Sequence, residues 1–207
     1  VARPPLIPPR HGEVFVPFPT PIVPLRNVRS TIIVASVANV KAAGLFTDYA
    51  SHVAKEHHEA LFDAHVGGWT PLNAAMAHYA ACDTLGLSEL SQREFGRKTV
   101  ERIGRTMVGT GIRMARQAGI DPWTFFGQLH RFWSRGYDGG GIAVYKLGPK
   151  DAQIQLVEFS LCASPFFRCA LFGWFSSFTE MFCARLFMRE ERATEGPSSM
   201  TVRAQWV

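Results

Sequence analysis

Charge is thin in this chain of 207 residues: 19% are Asp, Glu, Lys or Arg, against 47% hydrophobic. That balance excludes a disordered or solvating polyelectrolyte. Cysteine is scarcer still, at four, with no Cys-x-x-Cys pair. A disulfide framework is therefore excluded, and a reducing cytoplasm is the expected compartment. Long apolar runs are missing too. The most apolar stretch, Cys169 to Phe178, is bounded by Arg168 and Glu180, short of the roughly 18–20 residues that cross a bilayer. Nor does the N-terminus place a basic segment before an apolar one, so no secretory signal is expected. Tyrosine is rare at four, whereas phenylalanine reaches 16. The length suits one domain with a sizeable core.

Proline is abundant but local. Positions 4, 5, 8, 9, 17, 19, 21 and 24 are proline, which fixes φ and removes backbone donors, so no helix or central strand is expected there. Yet Val14, Phe15, Val16, Phe18, Ile22, Val23 and Leu25 are apolar. Residues 1–28 therefore read as an extended arm that lies on a surface, of this chain or a second copy, through Phe15, Phe18 and Ile22.

From Arg29 a β-branched start leads into a short helix closed by Gly44, and a helix follows from about Thr47 to His65. Thr70-Pro71, Asp121-Pro122 and Ser164-Pro165 each place a capping oxygen before a proline at a helix start. These predict helices over 71–85, 121–135 and 165–184. Between them, Ser91 and Glu94 form a capping box for a long helix over 91–117. On that helix Gly96, Val100, Ile103, Met107, Gly111 and Met114 share one face. Lys98, Arg102, Arg105, Arg113 and Arg116 share the other.

After Gly139-Gly140-Gly141 the period becomes strand-like. Ile142–Leu147 and Gln153–Phe159 flank a turn at 148–151, and strands over 185–192 and 200–207 flank another at 196–199. Helices followed by hairpins predict an α+β fold, in which an N-terminal helical block precedes a β-β-α-β-β four-stranded antiparallel sheet. The domain then spans 29–207, behind the arm.

That ending resembles the C-terminal half of the superfamily of haem-NO-binding domains, vinyl-reductase-like sensor domains and TRAPP-like proteins. From Arg29 onward the chain resembles an uncharacterised bacterial family of that superfamily. The residues carrying the resemblance are Gly67-Gly68-Trp69-Thr70-Pro71-Leu72, Phe95-Gly96 with Gly104-Arg105, Gly119-Ile120-Asp121-Pro122-Trp123 and Arg131-Phe132-Trp133. Lys146-Leu147-Gly148-Pro149-Lys150-Asp151-Ala152, Ser164-Pro165-Phe166-Phe167-Arg168 and Trp206 complete the set. The resemblance implies a module that binds haem, aromatic effectors or acyl chains, or that serves in assembly. Two departures matter. The Tyr-x-Ser-x-Arg string of haem-NO-binding domains has only Phe132-Trp133-Ser134-Arg135 for a counterpart, and the cysteines that hold zinc in vinyl-reductase-like sensors are absent from 192–196. Neither haem nor zinc is expected.

Few residues suggest chemistry. His58 and His65 are seven apart, a spacing that puts both on one helical face, but the string is not His-Glu-x-x-His and reads as a polar face. His78 and Cys82, four apart, read as packed core, as do Cys162, Cys169 and Cys183. The run Gly136 to Gly141 follows a helix and precedes a strand, the reverse of a phosphate loop, so it reads as a tight connection. With a net charge of +5 and no nucleic-acid motif, the basic stripe reads as a solvated or intrachain-paired face.

The anomaly is the aromatic helix. Phe166, Phe167, Phe172, Trp174, Phe175, Phe178, Met181 and Phe182 encircle its axis, where one sheet-facing stripe would suffice. Its second face contacts other helices, an apolar ligand or a partner. Candidate pocket or interface residues are therefore Trp69, Trp123, Trp133, Phe167, Phe172, Trp174, Phe175, Phe178 and Phe182. The chain reads as a non-enzymatic regulatory or sensory module for a small hydrophobic ligand, without a cofactor. The alternative is an adaptor or homo-oligomer assembled through arm and aromatic helix.

Overall fold

The computed structural model describes residues 12–65, 67–107, 121–191 and 196–207. Its architecture is α+β, but the main sheet has five strands where four were expected. The extra strand comes from the arm: β1 (Glu13–Val16) pairs antiparallel with β5 (Gly141–Gly148). Pro17 ends β1 after four residues, because proline has no N–H to give a ladder. β6 (Asp151–Val157), β7 (Leu186–Glu191) and β8 (Met200–Trp206) complete the sheet in the order β1-β5-β6-β8-β7, every pair antiparallel. Ile142 and Val144, Ile154 and Leu156, and Met200, Val202 and Ala204 alternate along these strands into the core, as the period of two dictates.

A second, three-stranded sheet was not expected. β2 (Asn27–Arg29) lies between β3 (Trp69–Pro71) and β4 (Tyr137–Asp138). Thr70-Pro71 therefore belongs to a strand, and the Thr70 hydroxyl donates to Ser30 Oγ at 3.2 Å instead of capping a helix.

Before it, α1 (Ser30–Ala42) runs to the turn at Gly44. The helix expected over 47–65 is broken into α2 (Phe46–Ser51), a 3₁₀ turn and α3 (His58–Phe62). Ser51 Oγ and His52 Nδ1 both bond the Asp48 carbonyl, at 2.7 and 2.9 Å, the local competition by which short polar side chains end helices. His65 consequently falls outside α3, and the shared helical face with His58 does not exist.

α4 (Leu72–Asp83) and α5 (Glu89–Met107) follow. α5 begins two residues early, because Ser88 Oγ accepts from the Ser91 N–H at 3.3 Å; Ser88 displaces the predicted Ser91–Glu94 box. The continuation expected over 108–117 lies outside the described residues. The segment 121–135 divides into α6 (Pro122–Gly127) and α7 (Leu129–Gly136). α8 (Pro165–Thr179) stops before the expected residue 184. Two proline starts behave as read: Asp121 Oδ1 accepts from Thr124 N at 3.2 Å, and Ser164 Oγ from Phe167 N at 3.1 Å.

α5 and α8 cross in backbone contact. A Cβ on Gly96 would stand 1.9 Å from the Ala170 carbonyl oxygen, and one on Gly173 would stand 1.8 Å from that of Arg93. Side chains then fill the space on either side. The aromatic helix buries Phe166, Phe167, Phe172 and Phe175 in the core. Its other face meets the chain itself: Phe178 stacks on Phe125 of α6 at 5.4 Å and on Phe132 of α7 at 6.1 Å.

Candidate functional site

A wide cleft lies where the arm crosses the helix-to-sheet connection. After β1 the arm runs over 17–26, held by backbone bonds from Gly140 N to Val23 O (2.8 Å), Leu25 N to Glu158 O (2.9 Å) and Arg26 N to Asp138 O (2.8 Å). Glycine is needed on the receiving side. A Cβ on Gly139 would meet the Pro24 carbonyl oxygen at 2.3 Å, and one on Gly140 would meet the Phe159 ring at 2.4 Å. Both also adopt positive φ, 102° and 71°. The glycine run is thus a connection shaped to accept the arm.

Between arm and α7 a cleft of about 580 Å³ remains, open on one side. Phe15, Pro17, Phe18, Pro19, Pro21 and Val23 form one wall. Gly127, His130, Trp133, Ser134, Tyr137 and Ile142 form the other. The volume lies within the roughly 300–1,000 Å³ of small-molecule sites. Trp133 is 3% exposed, yet its indole N–H has no acceptor among the described residues. Its ring is wedged against Tyr137 at 4.5 Å and Phe159 at 4.9 Å. Burial pushes the Tyr137 phenol up, so it stays protonated.

The structure divides the predicted aromatic set. Trp133, Phe15 and Phe18 come together in the cleft. Ile22 lies beside them: its Cγ2 would sit 3.3 Å from a Cβ on Gly141. Trp123 anchors the arm, with Phe15 edge-on at 4.9 Å and its N–H donated to the Pro149 carbonyl at 2.7 Å. Phe167 and Trp174 border a much smaller space of about 30 Å³ among the helices. Phe172 and Phe175 are core, while Phe178 and Phe182 are half-buried against it. Trp69 is exposed and lies under the Arg29 guanidinium at 4.9 Å. His130 and Ser134 escaped the sequence reading, and Pro17, Pro19 and Pro21 entered it as arm but not as a cleft wall. The only signal for them was their neighbourhood to Trp133 and to the glycine run.

None of the histidines and cysteines singled out in the sequence lines this cleft. His78 is fully buried, with Nδ1 2.7 Å from the Tyr49 hydroxyl, Nε2 2.9 Å from Ser36 Oγ and Cys82 Sγ at 3.9 Å. Burial pushes the thiols of Cys82, Cys169 and Cys183 up, away from the reactive thiolate. Among the described residues no group of His, Cys, Asp and Glu is placed to hold a metal ion. On the basic face of α5, Arg102 Nε donates to Asn39 Oδ1, and to one side of that face Arg97 pairs with Glu180 at 2.7 Å.

This arrangement of helices on an antiparallel sheet is the fold of H-NOX domains. Solved structures of that class match the chain as follows. The Fe(II) unliganded H-NOX protein from K. algicida covers 86% of this chain and 96% of its own, with a TM-score of 0.64 and 8% identity. An oxygen-binding H-NOX domain related to soluble guanylate cyclases covers 86% and 94%, with a TM-score of 0.53 and 12% identity. A structure probing haem distortion in the H-NOX family has the same coverage, with a TM-score of 0.54 and 14% identity. No protein-family model and no curated protein matches the chain.

The described residues do not fit a haem. Its iron needs an axial His, Cys, Met or Tyr, and the macrocycle needs room. Beside the α5–α8 crossing, where Phe95, Phe167 and Trp174 meet, the space is about 30 Å³. Among the helices the one fully buried imidazole, His78, has both ring nitrogens hydrogen-bonded. In the arm cleft the imidazole, His130, is exposed, and no Lys or Arg lines the walls to meet propionates.

Proposed function

We propose that this chain is a non-enzymatic regulatory or sensory module that binds a small hydrophobic ligand in the arm cleft and passes the change to a protein partner. The observation that carries this reading is the cleft itself, about 580 Å³ of mainly apolar wall closed on one side by the arm. The H-NOX fold supports a sensory role by analogy of architecture. Four free cysteines suit a cytoplasmic setting. No helix among the described residues is long and apolar enough to cross a membrane.

Filling the cleft tests the reading. Ser134 is exposed on the cleft wall, so Ser134→Trp blocks the space without touching the core. Native mass spectrometry of the purified protein should show a small-molecule adduct, or uptake of added 2-acetylnaphthalene, that the variant loses at least about tenfold. Unchanged uptake by the variant rules the cleft out.

The adaptor reading keeps one observation of its own. β7 is an edge strand, and its Phe187 is 50% exposed, the kind of edge that pairs with another chain. Light scattering on the full chain and on Phe187→Glu decides it: a dimer that the substitution dissociates supports assembly, and a monomer in both removes it.

A further inference from the structure

We propose that the open edge of β7 pairs antiparallel with β7 of a second copy of this chain, in a register centred on Met188. This rests on the assembly reading of that edge and adds the partner and the register.

The edge has the groups to pair. β7 lies outermost in its sheet. The Trp206 N–H donates to the Lys150 carbonyl on one side of β8, and the Val207 N–H donates to the Arg185 carbonyl on the other. Alternation along the ladder then turns the backbone groups of Phe187, Arg189 and Glu191 toward β8. Those of Leu186, Met188 and Glu190 point outward, and no backbone group of the described residues meets them. Side chains follow the period of two. Leu186 and Met188 pack on the core, and Glu190 pairs with Arg168. Phe187 and Arg189 stand exposed on the opposite face.

Charges on an edge strand commonly guard it against pairing. Here their order favours pairing with a copy. From Arg185 to Glu191 the strand reads Arg-Leu-Phe-Met-Arg-Glu-Glu, cationic at its start and anionic at its end. An antiparallel copy therefore brings opposite ends together. Facing side chains share a sheet face, so a two-fold pairing centres on one residue, and the charges choose which. Centred on Phe187, Arg185 faces Arg189 of the second copy. Centred on Arg189 or on Glu190, that residue faces itself. Like charges directly opposite destabilise a strand pair. Centred on Met188, Arg185 faces Glu191 and Phe187 faces Arg189, each twice over. A guanidinium against that ring has a precedent within the chain, where Arg185 lies 5.8 Å from the Phe187 centroid. The same register sets Met188 opposite itself and Leu186 opposite Glu190, so the outward backbone groups of the two copies meet.

Cysteine cross-linking of the full chain reads the register. In it Phe187 and Arg189 form a non-hydrogen-bonded pair, with Cα atoms about 4.5 Å apart and within disulfide reach. An equimolar mixture of Phe187→Cys and Arg189→Cys chains should oxidise to a mixed disulfide, identified by peptide mass spectrometry. Neither variant alone should link through its new thiol. By light scattering, Arg185→Glu should weaken the dimer about tenfold, because two attractive pairs become repulsive. A disulfide in either variant alone, or undiminished association of Arg185→Glu, overturns this register and leaves β7 open as an interface. A wild-type dimer that no combination links overturns β7 pairing and leaves assembly to another surface. A monomeric wild type removes the inference and the assembly reading together.

Discussion

His78 shows how a single residue sets the acid behaviour of this core. Its imidazole faces the Tyr49 hydroxyl, Ser36 Oγ, the Cys82 thiol and the Tyr79 ring, none of which carries charge at neutral pH. One ring nitrogen donates and the other accepts, so the hydrogen bonds are satisfied by the neutral ring. Burial pushes its pKa down to about 3 from the ordinary 6.5. In the unfolded chain the same residue takes a proton near 6.5, so His78 contributes fully above that pH. Its contribution is lost progressively as the pH falls toward 3. Between pH 6.5 and 4.5 the slope is on the order of 1 kcal/mol per pH unit. That window lies above the range where Asp138 and Asp151 titrate, both of which are held below the usual carboxylate range by hydrogen bonds from Asn27 with Arg26 and from Arg203 respectively. Urea midpoints measured from pH 7.5 to 4.5 should therefore fall steeply in the wild type and stay nearly flat in His78→Gln. The variant should also be about 1–3 kcal/mol less stable at pH 7. An equally steep fall in both chains would remove His78 as the cause.

Among the elements, the crossing of α5 and α8 carries the sharpest steric demand. Each helix gives one glycine to it, Gly96 and Gly173, and each glycine lies against backbone of the other helix. Backbone cannot swing aside as a side chain tip can. Gly173→Ala should cost about 1–3 kcal/mol or more in thermal unfolding, although alanine is the better helix former by about 1 kcal/mol. Stabilisation by that substitution would show that the helices do not approach so closely. The spacing placed Gly96 on the apolar face of α5, and the Asp121 and Ser164 caps were legible from local chemistry. β1 was not. Four residues between Gly12 and Pro17 contain too little alternation to announce a strand, and the partner strand β5 begins more than a hundred residues later. The break after α2 was equally hidden, since it depends on Ser51 and His52 turning back onto one carbonyl.

At the scale of the molecule, the same fold that carries haem-related structures at 14% identity and below is here closed around its own aromatic side chains. The sequence announced the surplus of phenylalanine on α8 but not its destination, because a residue encircling a helix axis looks alike whether it meets a ligand, a partner or a neighbouring helix. Phe125 and Phe132 decide the matter for Phe178, and the glycine crossing brings α5 and α8 together without room for a macrocycle. The wider space lies outward at the arm, between walls that carry no Lys or Arg among the described residues and one exposed imidazole. Hemin added to the purified chain should then associate only as a hydrophobic guest. Titration should give a broad, unsaturated Soret band that is lost on desalting, and 2-acetylnaphthalene should displace it. A sharp stoichiometric band that survives desalting and disappears in His78→Gln would place an iron ligand in the helical interior and overturn the closed core. The same band lost instead in His130→Ala would place the iron at the cleft mouth, leaving the core closed but contradicting the small hydrophobic ligand proposed for that site.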